Sequence, residues 1–146
     1  MTMINLLPAD IGILIIRVGI GISFVLVHGV QKLTGGVERW TSLGKTMSNL
    51  GIDFFPAFWG FMAAFAETFG ALFLIIGLFY RPAVFLLAFT MLVAMITHLS
   101  KLDPWTKVAY PLELMFVFIG LFFIGPGRFS LDFLIIKAKD KSKQAT

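Results

Sequence analysis

The sequence predicts an all-α integral membrane protein: a four-helix bundle with a short amphipathic interfacial helix between spans one and two. Three observations predict it. Of the 146 residues, 58% are hydrophobic and only 14% are charged, with a mean hydropathy of +0.92; soluble domains carry about 25% charged residues. Apolar stretches near the ~20 residues a helix needs to cross hydrocarbon recur along the chain. The charges collect at the ends of those stretches, as they do in loops beside a membrane. The length allows a single domain.

The elements follow in order. Span one covers about residues 10–33. Its leading sequence, MTMINLLPADIGILIIRVGI, has no basic n-region and is interrupted by Arg17, so it reads as a retained span rather than a signal peptide. Residues 34–55 form the longest connection. Val37, Trp40, Leu43, Met47 and Leu50 recur there every three to four residues, with Glu38, Arg39, Ser42, Lys45 and Asn49 mostly between them. That pattern predicts the interfacial helix. Span two covers about 56–79 and span three about 82–99, joined by the short YRP connection as antiparallel neighbours. Span four covers about 108–124 and is stopped by GPG at 125–127. Pro8, Pro56, Pro82 and Pro111 lie at or near span starts, where a missing N–H costs least. Residues 137–146 are a polar, basic tail, expected to be mobile. Four spans place both termini on one side. The lysines just after span four put that side in the cytoplasm.

Composition also excludes. With no cysteine, the chain has no disulfide, thiol relay or thiolate metal site. The net charge of +4 is dispersed over span ends and one tail, which does not make a nucleic-acid surface.

Ionisable residues inside spans are costly and mark function or a structural pair. The candidates for a ligand or proton site are Glu67, Arg17, His28, His98, Glu113 and Lys32. Arg17 and His28 are close to three full turns apart, so they share a face of span one, which Lys32 extends. Glu67 shares a face with Ala63, Gly70 and Ala71, small residues that let helices approach closely. Counted from the span ends, Glu67 lies roughly 16 Å below the side bearing the long loop. His28, His98 and Glu113 lie within roughly 8 Å of that side, and Arg17 roughly 10 Å from the other. This predicts a polar funnel with His28, His98 and Glu113 at its mouth and Glu67 at its floor. Arg17 closes it from beneath as the partner of Glu67. The pair either fixes helix register or exposes a tunable carboxylate to a ligand. Two histidines are too few to argue for haem, and no Glu-x-x-His pair suggests a di-metal site; no metal is expected. Gly125, Pro126, Gly127, Arg128 and Asp132 read as a helix stop followed by a structural turn.

Several of these groups resemble the DoxX family of small four-span bacterial membrane proteins. They are RVGIGISFVLVHGVQKL (residues 17–33), AETFGALFLIIGLFYRP (66–82), the histidine at the end of span three, and PLELMFVFIGLFFIGPGRFSLD (111–132). The resemblance implies an inner-membrane protein. It also implies a redox-associated or quinone-linked accessory subunit of a membrane oxidoreductase complex, not catalytic alone. The matching positions are Arg17, Lys32, Glu67, Gly70, Arg81 and the 125–132 turn. Disulfide chemistry ascribed to some relatives has no cysteine here to carry it. Quinone is the ligand this implies. The alternatives are a structural or assembly subunit of a larger complex or homo-oligomer, and a small-molecule or lipid binder or transporter using the funnel.

Overall fold

A computed structural model describes residues 7–144. The first residues of the N-terminal segment and the last two of the basic tail lie outside it. Six helices follow one another: α1 (Pro8–Leu33), α2 (Gly36–Gly44), α3 (Pro56–Ile76), α4 (Tyr80–Ser100), α5 (Trp105–Ile124) and α6 (Leu131–Gln144). Of these, α1, α3, α4 and α5 are long and apolar enough to cross a membrane. The protein is a multi-pass helical bundle for a lipid bilayer, and the described residues contain no strand. The core joins Phe24 of α1, Leu74 of α3, Val84 and Leu87 of α4, and Phe118 and Leu121 of α5. The remaining apolar faces, such as Ile15, Leu26, Phe85 and Phe123, point outward, as they must where the solvent is hydrocarbon.

The vertical offset of the first helices positions everything else. Gly21 of α1 sits on Ala71 and Ile75 of α3, and Gly29 sits on Glu67 and Thr68. The two helices are therefore antiparallel, and the end of α1 lies beside the middle of α3. The chain turns at 34–36, and α2 continues along the same neighbour. Trp40 lies against Gly60, and Gly44 against Pro56. Together α1 and α2 cover α3 from end to end. A Cβ on either Gly44 or Gly60 would collide with facing backbone, so this contact requires glycine on both sides. The outer face of α2 carries exposed Glu38, Arg39 and Ser42. A 3₁₀ segment, Lys45–Leu50, then folds back, and Asn49 Nδ2 reaches Thr97 Oγ1 of α4 at 3.4 Å. Gly60→Ala should push α2 off α3 and cost about 1–3 kcal/mol, as overpacking does. Thermal unfolding followed by circular dichroism measures this, and an unchanged midpoint would show that the contact does not hold α2.

Two expectations about local structure need correction. Pro111 is not near the start of its helix but inside α5, because that helix begins at Trp105. The polar tail is helical as α6 through Gln144, because Asp132 anchors its first turn and the lysine-rich stretch that follows contains no helix breaker.

The opposite end of the bundle is fastened by the 125–132 turn. Helix α3 ends at Gly77 (φ 68°), a left-handed position that glycine takes without steric cost. The chain then re-enters helix at Phe79 (φ 44°), a strained value for a residue with a Cβ. The Asp132 carboxylate offsets that strain by accepting from Phe79 N (3.1 Å) and Tyr80 N (2.9 Å). Asp132 N in turn donates to Gly77 O at 2.9 Å. Asp10 of α1 accepts from Arg128 N at 3.0 Å and lies 3.4 Å from its Nε.

Candidate functional site

The site is built on two facing irregularities. Residues Phe24–Gly29 of α1 and Ala66–Gly70 of α3 wind as π-helix, a form that inserts one residue and concentrates at functional sites. The two π turns meet at Gly29. A Cβ there would lie 2.6 Å from Thr68 Oγ1 and 2.7 Å from Glu67 O, so glycine is what lets them touch. Thr68 Oγ1 donates to Ala64 O at 2.8 Å, satisfying a carbonyl beside the π turn.

Glu67 is 1% exposed. Its partner is Lys32, whose Nζ stands 2.7 Å from Oε1 and 2.6 Å from Oε2. The ammonium straddles the carboxylate, with good hydrogen-bond alignment to Oε1 only. The pair lines a cavity of about 570 Å³ between the 36–50 segment, α3 and α4. Its walls are mostly apolar, including Met62, Leu86 and Val93, with Thr97, His98 and Lys101 toward the end of α4. Phe58, Phe85 and Phe89 line it and are exposed on the surface of the bundle. Trp59 is in the wall, and its indole Nε1 is buried without a partner among the described residues.

The structure redistributes the other expected residues. His98 lines the cavity, and its Nδ1 lies 2.8 Å from Asp103 Oδ2. That hydrogen bond, outweighing partial burial and aided by Lys107, holds the Asp103 carboxyl below its ordinary range. His28 is not at the cavity mouth. It faces α5, where Nε2 lies 2.9 Å from Tyr110 Oη. Glu113 is exposed on the outside of α5 and belongs to no funnel. Its position explains this: at about 100° per residue it lies roughly 140–160° around the helix from buried Pro111 and Phe118.

Arg17 does not pair with Glu67. Arg17 is 1% exposed, and its guanidinium donates to backbone carbonyls: Nε to Leu74 O (2.9 Å), Nη2 to Ile75 O (2.8 Å), Nη1 to Pro126 O (2.6 Å) and Phe129 O (3.1 Å). It also lies over the Tyr80 ring, 5.8 Å from the centroid. The offset of α1 is the physical reason: a helix that ends beside the middle of α3 brings Lys32 to Glu67 and Arg17 to Gly77. Arg17 thereby joins the 125–132 turn to the end of α3. Trp59 reads in the sequence as an interface anchor rather than a cavity residue, and Tyr110 is not marked at all. Tyr110 is one of only two tyrosines, a weak signal for a polar contact inside an apolar bundle.

The DoxX family model matches residues 12–99, more than half of the chain. The chain belongs to the DoxX family. No curated protein and no solved structure matches it. The DoxX match contains Arg17, His28, Lys32, Glu67 and His98, whereas Tyr110, Glu113 and the 125–132 turn lie beyond it.

Proposed function

We propose that this DoxX protein is a quinone-linked accessory subunit of a membrane oxidoreductase. In this reading it sits in the bacterial inner membrane with cytoplasmic termini, and the cavity between the 36–50 segment, α3 and α4 receives the quinone head. The observation that carries the reading is the Lys32–Glu67 pair in the wall of a mostly apolar cavity. The volume falls within the ~300–1,000 Å³ of small-molecule pockets. The exposed Phe85 and Phe89 in its lining favour a ligand that arrives from the bilayer. Lys32 is placed to donate to a carbonyl oxygen, and Glu67 to accept from a hydroxyl. Reduction of a quinone takes up two electrons and two protons; a partner oxidoreductase supplies the electrons.

Decylubiquinone titrated into the nanodisc-embedded protein should quench tryptophan fluorescence saturably. Lys32→Met and Glu67→Gln, checked for helical content, should each weaken binding about tenfold or more, as loss of a charge-assisted hydrogen bond does. Equal affinity in all three proteins would remove the pair from a quinone site.

A second reading, an assembly subunit of a larger complex, has its own support in Glu113. This carboxylate is exposed on a membrane-crossing helix, eight residues beyond Trp105 and about 12 Å along it. A charge at such a depth is costly in lipid and is relieved when a neighbouring chain covers it. Loss of a co-purifying partner in Glu113→Leu, with quinone binding unchanged, would support this reading.

A further inference from the structure

We infer that α6 is a lipid-binding helix: its first turns enter the bilayer interface, and its lysines gather anionic phospholipid headgroups around that end of the bundle. The inference rests on the spans lying in a bilayer and is independent of what fills the cavity.

Two features bring lipid to α6. The first is the apolar surface at that end of the bundle. Ile76 and Phe79 at the α3–α4 turn, Phe123 and Ile124 at the end of α5, and Phe129 in the 125–132 turn are all exposed. So much clustered apolar surface marks contact with lipid rather than water, so the apolar layer reaches the level of this turn. Helix α6 starts at that level, because Asp132 bonds to Phe79 N, Tyr80 N and Gly77 O. The second feature is α6 itself. Leu131, Phe133, Leu134, Ile135 and Ile136 are exposed, the last by 60%, and every side chain from 133 to 143 lies on the surface. At about 100° per residue these five point to nearly all sides of the helix. One packing face on the bundle could not cover them, whereas surrounding lipid does.

The composition then changes at once. After Ile136 come Lys137, Lys139, Lys141 and Lys143, with Asp140 the one acid among them. Lys137 and Lys141 project on one side of the helix, and Lys139 and Lys143 on roughly the other. Among the described residues none of the four ammoniums pairs with a carboxylate. They stand within about 9 Å of helix, about one Debye length, and so act as one positive patch. Arg81, exposed at the start of α4, adds a cation at the same end. Long lysine stems lie along apolar surface while their heads reach the headgroups. A lysine cluster beside a membrane draws anionic lipid, with about fivefold in affinity for each lysine at the surface. A soluble polyanion would meet the lysines but leave the apolar turns in water. An apolar protein surface would cover the turns but leave the lysines unmatched. An anionic leaflet satisfies both.

Fluorescence quenching of the full chain in nanodiscs tests this. The chain has no native cysteine, so Ile135→Cys takes a single environment-sensitive dye. Lipids brominated along their acyl chains quench that dye only on contact. Brominated phosphatidylglycerol should associate with the dye site about fivefold better than brominated phosphatidylcholine, and the preference should shrink as salt is raised. Lys137→Gln, Lys139→Gln, Lys141→Gln and Lys143→Gln together should bring the preference close to one while quenching persists. Glutamine sustains a helix about as well as lysine, and circular dichroism checks that the helical content is unchanged. A dye at Leu26→Cys, exposed on α1 toward the other end of the bundle, should show no preference in either protein. Absence of quenching by both lipids would place α6 in water or against protein, and the inference falls. Equal quenching by the two lipids in the unsubstituted chain overturns it, as does a preference that survives the four substitutions. Quinone is left out of every sample, so failure here is distinguishable from failure of the cavity reading.

Discussion

Arg17→Met should lower the stability of the protein by about 4 kcal/mol, the largest single effect expected outside the cavity. Hydrogen bonds from a charged donor contribute about 1.5–3 kcal/mol each, and a buried acceptor left without a partner costs about 1–3 kcal/mol. Arg17 makes four such bonds, to carbonyls from two separate stretches of chain. Their sum is not additive, because part of the 125–132 turn can relax once released; hence a total near the cost of one or two bonds rather than four. Arg17→Lys should fall between the wild type and Met, since an ammonium keeps the charge but cannot span both carbonyl groups as the planar fork does. Thermal unfolding in detergent, followed by far-ultraviolet circular dichroism, should give the order wild type, Lys, Met. Decylubiquinone affinity per folded molecule should be the same for wild type and Lys. A Met variant as stable as wild type would contradict a fastening role. Lost affinity at unchanged stability would return Arg17 to the ligand site.

The contrast between Arg17 and Lys32 shows what the sequence can carry. The helices themselves are legible, because hydrocarbon demands long apolar runs and leaves few alternatives. Depth was less so. Counting residues from each span end assumes that all helices begin and end on two planes. That holds for α3 and α4, but α1 stops beside the middle of α3 because α2 occupies the rest of it. The signal was present in the adjacent glycines at 35–36 and in the glycines that α2 and α3 place face to face. The sequence places Lys32 on the face of α1 that carries Arg17 and His28, and the offset of α1 against α3 brings it to Glu67. The acceptors of Arg17 are another matter. Leu74, Ile75, Pro126 and Phe129 offer backbone carbonyls, and nothing in a side-chain pattern marks a carbonyl as free. They are freed by where helices end, which depends on the three-dimensional path of the turn. Glu113 was legible in principle: the buried positions Val108, Pro111, Phe118 and Leu121 define a face, and residue 113 falls outside it.

The second large effect concerns the pair itself, and it separates a register device from a binding group. Lys32→Met leaves a carboxylate with 2% of its side chain exposed and no cation beside it; removing one partner of a buried pair costs about 3–5 kcal/mol. Glu67→Gln should cost less, about 1–2 kcal/mol, because the Lys32 side chain is 22% exposed and can carry its ammonium toward water. The double variant Lys32→Met with Glu67→Gln has no buried charge left. Replacing a buried pair with groups of similar volume is often neutral or stabilising, so the double variant should lie within about 1 kcal/mol of wild type. A thermodynamic cycle over the four proteins would then give a coupling of about 3 kcal/mol or more. The double variant is the decisive protein. If the pair exists only to fix the register of α1 on α3, the stable double variant should lose that register, and cross-linking between cysteines introduced on the facing turns should report it. If the pair is kept for its ligand, the double variant should fold in the native register yet bind decylubiquinone about tenfold or more weakly. Native register together with native affinity would deny Lys32 and Glu67 both roles.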